Sequence, residues 1–201
     1  MANPNRRARQ AEQTKAEILT AARSLFAQGG FAKTSVKEVA AAAGVSVQTV
    51  YDSVGSKADL VRELNDHIDA EAGIGAIAMT IPTIDDPREL IAVPARIARA
   101  LLESSGDILR ATMSALPSDP ALAPVVQEGR HRHELGTRGL ASRLEALGAL
   151  RVGLSADEAG ATMAVLSDPW LAVRLADEYA WPAEKIEAWT TEILERVILG
   201  P

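Results

Sequence analysis

Between Ser35 and Asp52 the chain reads SVKEVAAAAGVSVQTVYD, two short helical patterns broken by one glycine. Ser35-Val36-Lys37-Glu38 is a capping box, in which the serine hydroxyl and the glutamate satisfy backbone N–H groups that a helix start leaves unpaired. Val36, Val39, Ala40 and Ala43 then share an inward face. Gly44 accepts the left-handed conformation that ends a helix, Val45 is an apolar plug for the turn, and Ser46 is placed to cap the next helix. Helix, glycine turn and second helix fit within 18 residues, the dimensions of a helix-turn-helix. Helical hairpins with a glycine turn also occur in bundles that never meet nucleic acid, so this pattern alone leaves both readings open.

The flanks narrow the choice. Thr14-Lys15-Ala16-Glu17 is another capping box and predicts a first helix starting there, with Ile18, Leu19, Ala22, Leu25 and Phe26 on one stripe and Gly29-Gly30 at its end. Residues 1–60 carry eight Lys/Arg against five Asp/Glu, a net of +3, which leaves −9 for the rest of a chain whose total is −6. An acidic protein with a basic head is the asymmetry expected when only that end meets a polyanion. In a helix-turn-helix the second helix enters the major groove, so its outward residues near the N-terminus should be short or polar, as Ser46, Val47, Gln48 and Thr49 are. Gln48 offers both a donor and an acceptor to an adenine edge. Tyr51 and Lys57 follow, where a phenol hydroxyl and an ammonium could hold phosphates.

Those residues lie in TKAEILTAARSLFAQGGFAKTSVKEVAAAAGVSVQTVYDSVGSKADL, which resembles the N-terminal domain of TetR-family transcriptional regulators. The shared features are an Ile-Leu helix ending in Leu-Phe, a Gly-Phe turn, Thr-Ser before the second helix, Ala-Gly-Val-Ser at the turn, then Thr-Val-Tyr and Ser-Lys. The resemblance implies an all-α homodimer of nine or so helices per subunit. It divides the chain into a three-helix DNA-binding domain over residues 12–72, its helix-turn-helix at about 35–54, and a larger ligand-binding and dimerisation domain over 73–201. By position it puts Thr34 and Ser35 near backbone phosphates, Ser46, Val47 and Gln48 at base edges, and Tyr51 and Lys57 on phosphates, and Lys33 and Thr49 complete the candidate DNA-binding set. Whether Gln48 reaches a base or a phosphate stays open. Val54 stands where the family usually has an aromatic residue, so packing between the third and fourth helices should differ. The implied function is that of a repressor released from a pseudo-palindromic double-stranded DNA operator by a small-molecule effector. Arg6, Arg7 and Arg9 form either a solvated tail or an arm that reaches DNA.

The remainder of the chain reads as helical too. Ala, Leu, Glu and Arg are strong helix formers, no alternating Val/Ile/Thr run is bounded by turn residues, and the fourth helix, from Ser56 to about Ala72, is the expected lever. Pro94 should kink or reset the helix beginning at Arg88, and Gly129, Gly136 and Gly139 should mark close approach or a bend between Ala121 and Leu150. Helices are also expected after Ser155, Asp168 and Trp181, and Trp170, Trp181 and Trp189 within 20 residues favour an interface at that end. An effector cavity among the middle helices draws on Arg110, Met113, Leu116, His131, Met163 and Trp170 as candidates.

Other function classes find less support. The chain has no cysteine, which excludes disulfides and thiolate metal sites and fits a cytoplasmic protein. The charge-free run from Ala72 to Ile84 is too short to cross a bilayer, and no apolar run follows the basic N-terminus, so neither anchor nor signal peptide is expected. His131 and His133 point to different faces of a helix, so no metal is expected. Gly73 to Ala78 fits G-x-G-x-x-A without a preceding strand, so no nucleotide cofactor is expected either. No Ser/His/Asp set, HExxH or carboxylate pair suggests an enzyme. The rival to a DNA-binding regulator is a helical dimeric interaction or ligand-binding protein that does not act through DNA.

Overall fold

The computed structural model describes residues 4–117 and 119–200. Its α-helices are α1 (Pro4–Gly29), α2 (Val36–Ala42), α3 (Val47–Ser53), α4 (Lys57–Glu71), α5 (Ile74–Thr80), α6 (Pro87–Ala115), α7 (Ala123–Ala146), α8 (Ala156–Leu166), α9 (Pro169–Tyr179) and α10 (Ala183–Ile198). Short 3-10 turns occupy Ile81–Thr83 and Pro120–Leu122. The fold is all-α, as the sequence predicts. A lone antiparallel bridge, Leu150 with Leu199, closes the α7–α8 connection onto the end of α10, with the Arg151 N–H donating to the Ile198 carbonyl at 2.9 Å.

The chain forms two compact units. One takes the chain up to His67 together with Arg110–Val126, and the other takes Ile68–Leu109 and the chain from Gln127 onward. In the first, α1 packs on α2 and α3, and Ile18, Leu19, Ala22, Phe26, Val39 and Val50 are buried. Those are the inward faces that the 3.6-residue period assigns. In the second, Leu90, Ile91, Leu140, Leu144, Met163, Leu194 and Ile198 form the core, which draws on α6, α7, α8 and α10. Arg99 of α6 adds a polar tie there, donating to Glu187 at 3.0 Å and Glu184 at 3.2 Å on α10 and to Glu103 at 2.9 Å on its own helix.

Three expectations are corrected. First, α1 begins at Pro4, not at Thr14. The preceding RRARQAEQ consists of good helix formers, so the helix runs through Thr14, and Glu17 accepts a side-chain hydrogen bond from Gln13 at 3.0 Å. Arg6, Arg7 and Arg9 are therefore exposed on a helix rather than on a tail. Second, α6 passes through Pro94 with helical dihedrals, and its irregular residue is Ser105, at φ −149° and ψ 19°. A Ser-Gly pair, Ser105-Gly106, weakens the helical ladder more than a proline whose φ already suits a helix.

Third, Gly129, Gly136 and Gly139 mark no close approach, because a Cβ at each would meet nothing within 4 Å, and all three lie inside the one helix α7. The close approach lies at Gly160 of α8, where a Cβ would stand 3.1 Å from the Arg138 Cα of α7. Gly73 to Ala78 spans the N-cap and first residues of α5 and follows helix α4, the preceding helix that the sequence predicts. Among the described residues no helix is long and apolar enough to cross a membrane.

Candidate nucleic-acid interface

The turn between α2 and α3 is built on Gly44, at φ +67°, in the left-handed region where side chains are strained. The Val45 N–H donates to the Ala40 carbonyl at 3.0 Å and the Gly44 N–H to Ala41 at 3.2 Å, so the end of α2 is satisfied as the chain reverses. Ser46 then caps α3, its Oγ accepting from the Thr49 N–H at 3.0 Å. Val50 is fully buried and fixes which side of α3 faces inward. Gln48 and Asp52 lie on the opposite side and are exposed, and Val47, 39% exposed, and Tyr51, 49% exposed, continue the solvent-facing surface toward one flank.

The sequence candidates divide by what their polar atoms already do. Ser46 and Thr49 share a hydroxyl contact at 2.8 Å, so both are partly engaged in capping. Ser35 caps α2, and its N–H and Oγ both donate to Glu38 Oε2, at 2.7 and 2.8 Å. Hydrogen bonds from the Ser35 backbone first, then its hydroxyl, hold the Glu38 carboxyl below the ordinary glutamate value. Lys33 is exposed on the turn before α2, as is Lys37 on α2 itself. Thr34 does not share that exposure. It is only 6% exposed, and its hydroxyl donates inward to the Gly30 carbonyl at 3.0 Å, locking the α1–α2 turn.

Lys57, at the start of α4, carries its ammonium 4.0 Å from the centroid of the Phe31 ring. Burial pushes its pKa down, while the charges of Asp119 and Glu38 act in the opposite direction. Its neighbour Ser56 opens α4 with a capping arrangement, donating from N and Oγ to Asp59 Oδ2 at 2.8 and 2.6 Å. Val54, in place of an aromatic residue, is half-buried at the end of α3.

Asp52 is the residue that sequence reasoning passed over. Its Oδ1 accepts from Gln48 Nε2 at 2.8 Å across one turn of α3. The i, i+4 spacing of an amide and a carboxylate is the signal that would have found it.

The six effector candidates divide between the two units. Arg110, Met113 and Leu116 belong to the first unit, and His131, Met163 and Trp170 to the second. Arg110 and His131 are exposed, while Met163 is fully buried in the second unit's core. Trp170 lies under Arg130, whose guanidinium carbon is 4.9 Å from its ring centroid. The histidine that turns inward is His133. Its Nε2 is 3.1 Å from the Ala164 carbonyl and 3.3 Å from Ser167 Oγ. Ser167 spends its hydroxyl hydrogen on the Met163 carbonyl at 2.6 Å, so Nε2 must be the protonated nitrogen that donates, pinning α7 to α8. A groove of about 530 Å³ runs along α1 beside the end of α2, lined by Gln13, Thr20, Ser24 and Ala42 among others, and none of the six lines it.

Residues 18–64 match the profile of the bacterial regulatory proteins, tetR family. No curated protein sequence matches the chain. Among solved structures, NalD of Pseudomonas aeruginosa, described as the secondary repressor of the MexAB-OprM multidrug efflux pump, aligns at 22% identity and a TM-score of 0.74, covering 95% of this chain and 98% of that one. A TetR-family transcriptional regulator from Syntrophomonas wolfei aligns at 14% identity and 0.77, covering 92% and 94%. A transcriptional regulator from Saccharomonospora viridis, solved in complex with choline, aligns at 18% and 0.73, covering 94% and 100%. At these identities the structural likeness concerns the fold.

Proposed function

We propose that this chain, a TetR-family DNA-binding transcriptional regulator, is a cytoplasmic homodimeric repressor that leaves its operator when a small molecule binds its C-terminal domain. One observation carries the DNA-reading part: while Val50 is buried, Val47, Gln48 and Tyr51 of α3 are open to solvent, presented by the helix that the Gly44 turn aims. In this reading α3 enters the major groove, where Gln48 and Val47 meet base edges while Tyr51, Lys57 and Lys33 hold phosphates. Two copies would engage half-sites about 34 to 36 Å apart, one helical turn of DNA.

The regulatory part draws on α4. Near its middle Glu63 pairs with Lys15 of α1 at 2.6 Å, and toward its end Asp69 pairs with Arg132 of α7 at 3.4 Å. A ligand that shifts α7 would pull on the same helix that begins with Lys57. For release, the ligand must favour the DNA-incompetent arrangement, since equal affinity for both would shift nothing. NalD is named a repressor and the Saccharomonospora viridis protein was solved with choline, and both support a ligand-responsive repressor as the reading for this fold.

An electrophoretic shift with DNA upstream of the protein's own gene tests the proposal. The wild type should retard that duplex, and a Tyr51→Ala, Lys57→Ala double variant should retard it weakly. Equal retardation by both would overturn the phosphate roles, and no retardation of any duplex would favour an interaction protein that does not act through DNA.

A further inference from the structure

We infer that Asp52 is a specificity-determining positioning residue: it holds Gln48 so that the amide edge left over reads adenine. The inference rests on the DNA-reading role of α3 proposed above and adds a residue to it. Gln48 is the second residue of α3 and Asp52 the sixth, both exposed, with Nε2 and Oδ1 2.8 Å apart.

The chemistry of the pair fixes the amide's orientation. A carboxylate only accepts hydrogen bonds, so the nitrogen side of the Gln48 amide must face Asp52 and Oε1 must face away. Bidentate recognition of adenine uses one N–H, donated to N7, and one carbonyl, accepting from N6. That leaves a single N–H of the amide to spare, and the spare one is what Asp52 holds. A free glutamine has three rotatable bonds to arrest on binding, whereas one already pinned to its own helix gives up less freedom at the base. The same carboxylate bars the alternative in which Gln48 lies along the backbone, because an anion on that face repels phosphates that would come close.

Asp52 thus has two opposed effects: it sharpens the preference for one base pair, and its charge weakens attraction to DNA in general. An ordinary surface hydrogen bond that only supports the helix would not sharpen the preference, although the charge would still repel phosphates.

The test is selection of full-length protein against a random-sequence duplex pool, followed by measured affinities for the enriched duplex and for versions with one base pair changed. Wild type should enrich an A·T pair at one position of each half-site. Gln48→Ala should lose that preference alone. Asp52→Ala should cut discrimination at that position about tenfold and bind random duplex more tightly than wild type. Asp52→Asn, whose amide oxygen still accepts from Gln48, should keep the preference. Circular dichroism melts of each variant report whether the head is folded, and the Asn variant carries the test if the Ala variant is not. Unchanged discrimination in Asp52→Ala, or equal loss in Asp52→Asn, would overturn the inference while leaving the DNA-reading role intact. Failure of the wild type to enrich any sequence would overturn that role and this inference with it.

Discussion

Lys57 stands 4.0 Å over the Phe31 ring, and Phe31 in turn lies against Phe26, with ring centroids 5.1 Å apart. The cation is thus positioned by a buried aromatic pair, which leaves its N–H groups to be taken by an incoming phosphate. Lys57→Ala is expected to weaken binding to all duplexes alike and to reduce the slope of log affinity against log salt by about 1. Phe31→Leu, which keeps apolar bulk but removes the ring face, should weaken binding in the same direction with a smaller loss. Fluorescence anisotropy over a salt series measures both.

Gly44 and Gly160 should fail in different ways when replaced by alanine. At Gly44 there is open space but a φ of +67°, so the substitution costs about 1–2 kcal/mol through the backbone alone. Gly44→Ala is expected to lose DNA affinity through misdirection of α3, and Gly44→Asn to lose less, because asparagine tolerates that conformation better. At Gly160 the backbone is ordinary but the space is taken by Arg138, so Gly160→Ala should destabilise by about 1–3 kcal/mol through overpacking. Denaturation curves read alongside DNA affinity separate the cases, since the folded fraction of the Gly160 variant should bind with the wild-type salt slope.

Thr34 offers a test of burial against contact. With its hydroxyl donated to Gly30, Thr34→Val should destabilise the head by about 1 kcal/mol and leave the salt slope of DNA binding unchanged. Lys33→Ala, at the exposed neighbour, should do the reverse: little effect on urea denaturation and a shallower slope.

Three capping carboxylates contribute to the acid limb of stability. Hydrogen bonds from the Ser35 and Ser155 backbones lower Glu38 and Glu158, and the Ser56 hydroxyl lowers Asp59. Each folded-state pKa lies below its unfolded value, so the unfolded chain binds more protons in between. Their stabilisation is complete above the ordinary carboxylate range and is lost as pH falls through the lowered values. Urea melts at descending pH should show that decline, and Ser35→Ala with Ser155→Ala should flatten it.

Much of the head was legible because its signals are local. A capping serine, a glycine that needs positive φ and a short apolar period are each decided within a few residues, so α2, the turn and α3 fall where the pattern puts them. Thr14 misled because Thr-x-x-Glu also occurs inside helices, and nothing in four residues reveals that good helix formers continue upstream. The glycines of α7 and the kink in α6 were misjudged for the opposite reason. Whether a glycine is pressed by a neighbour depends on a helix far away in sequence, as Gly160 against Arg138 shows. The assignment of Arg110–Val126 to the first unit is likewise a long-range fact that no local period carries. Asp52 was missed because charge was counted in blocks rather than paired at helical spacing.

A Gly44 turn that aims α3 at DNA makes a salt-dependent complex, which a salt titration of full-length protein on its enriched duplex measures. Tight binding at low salt is expected, with a straight log-log decline whose slope counts the phosphate contacts of both subunits and a shallower line for Lys57→Ala. Binding that is absent at low salt, or that salt leaves unchanged, would contradict a DNA-reading role for α3.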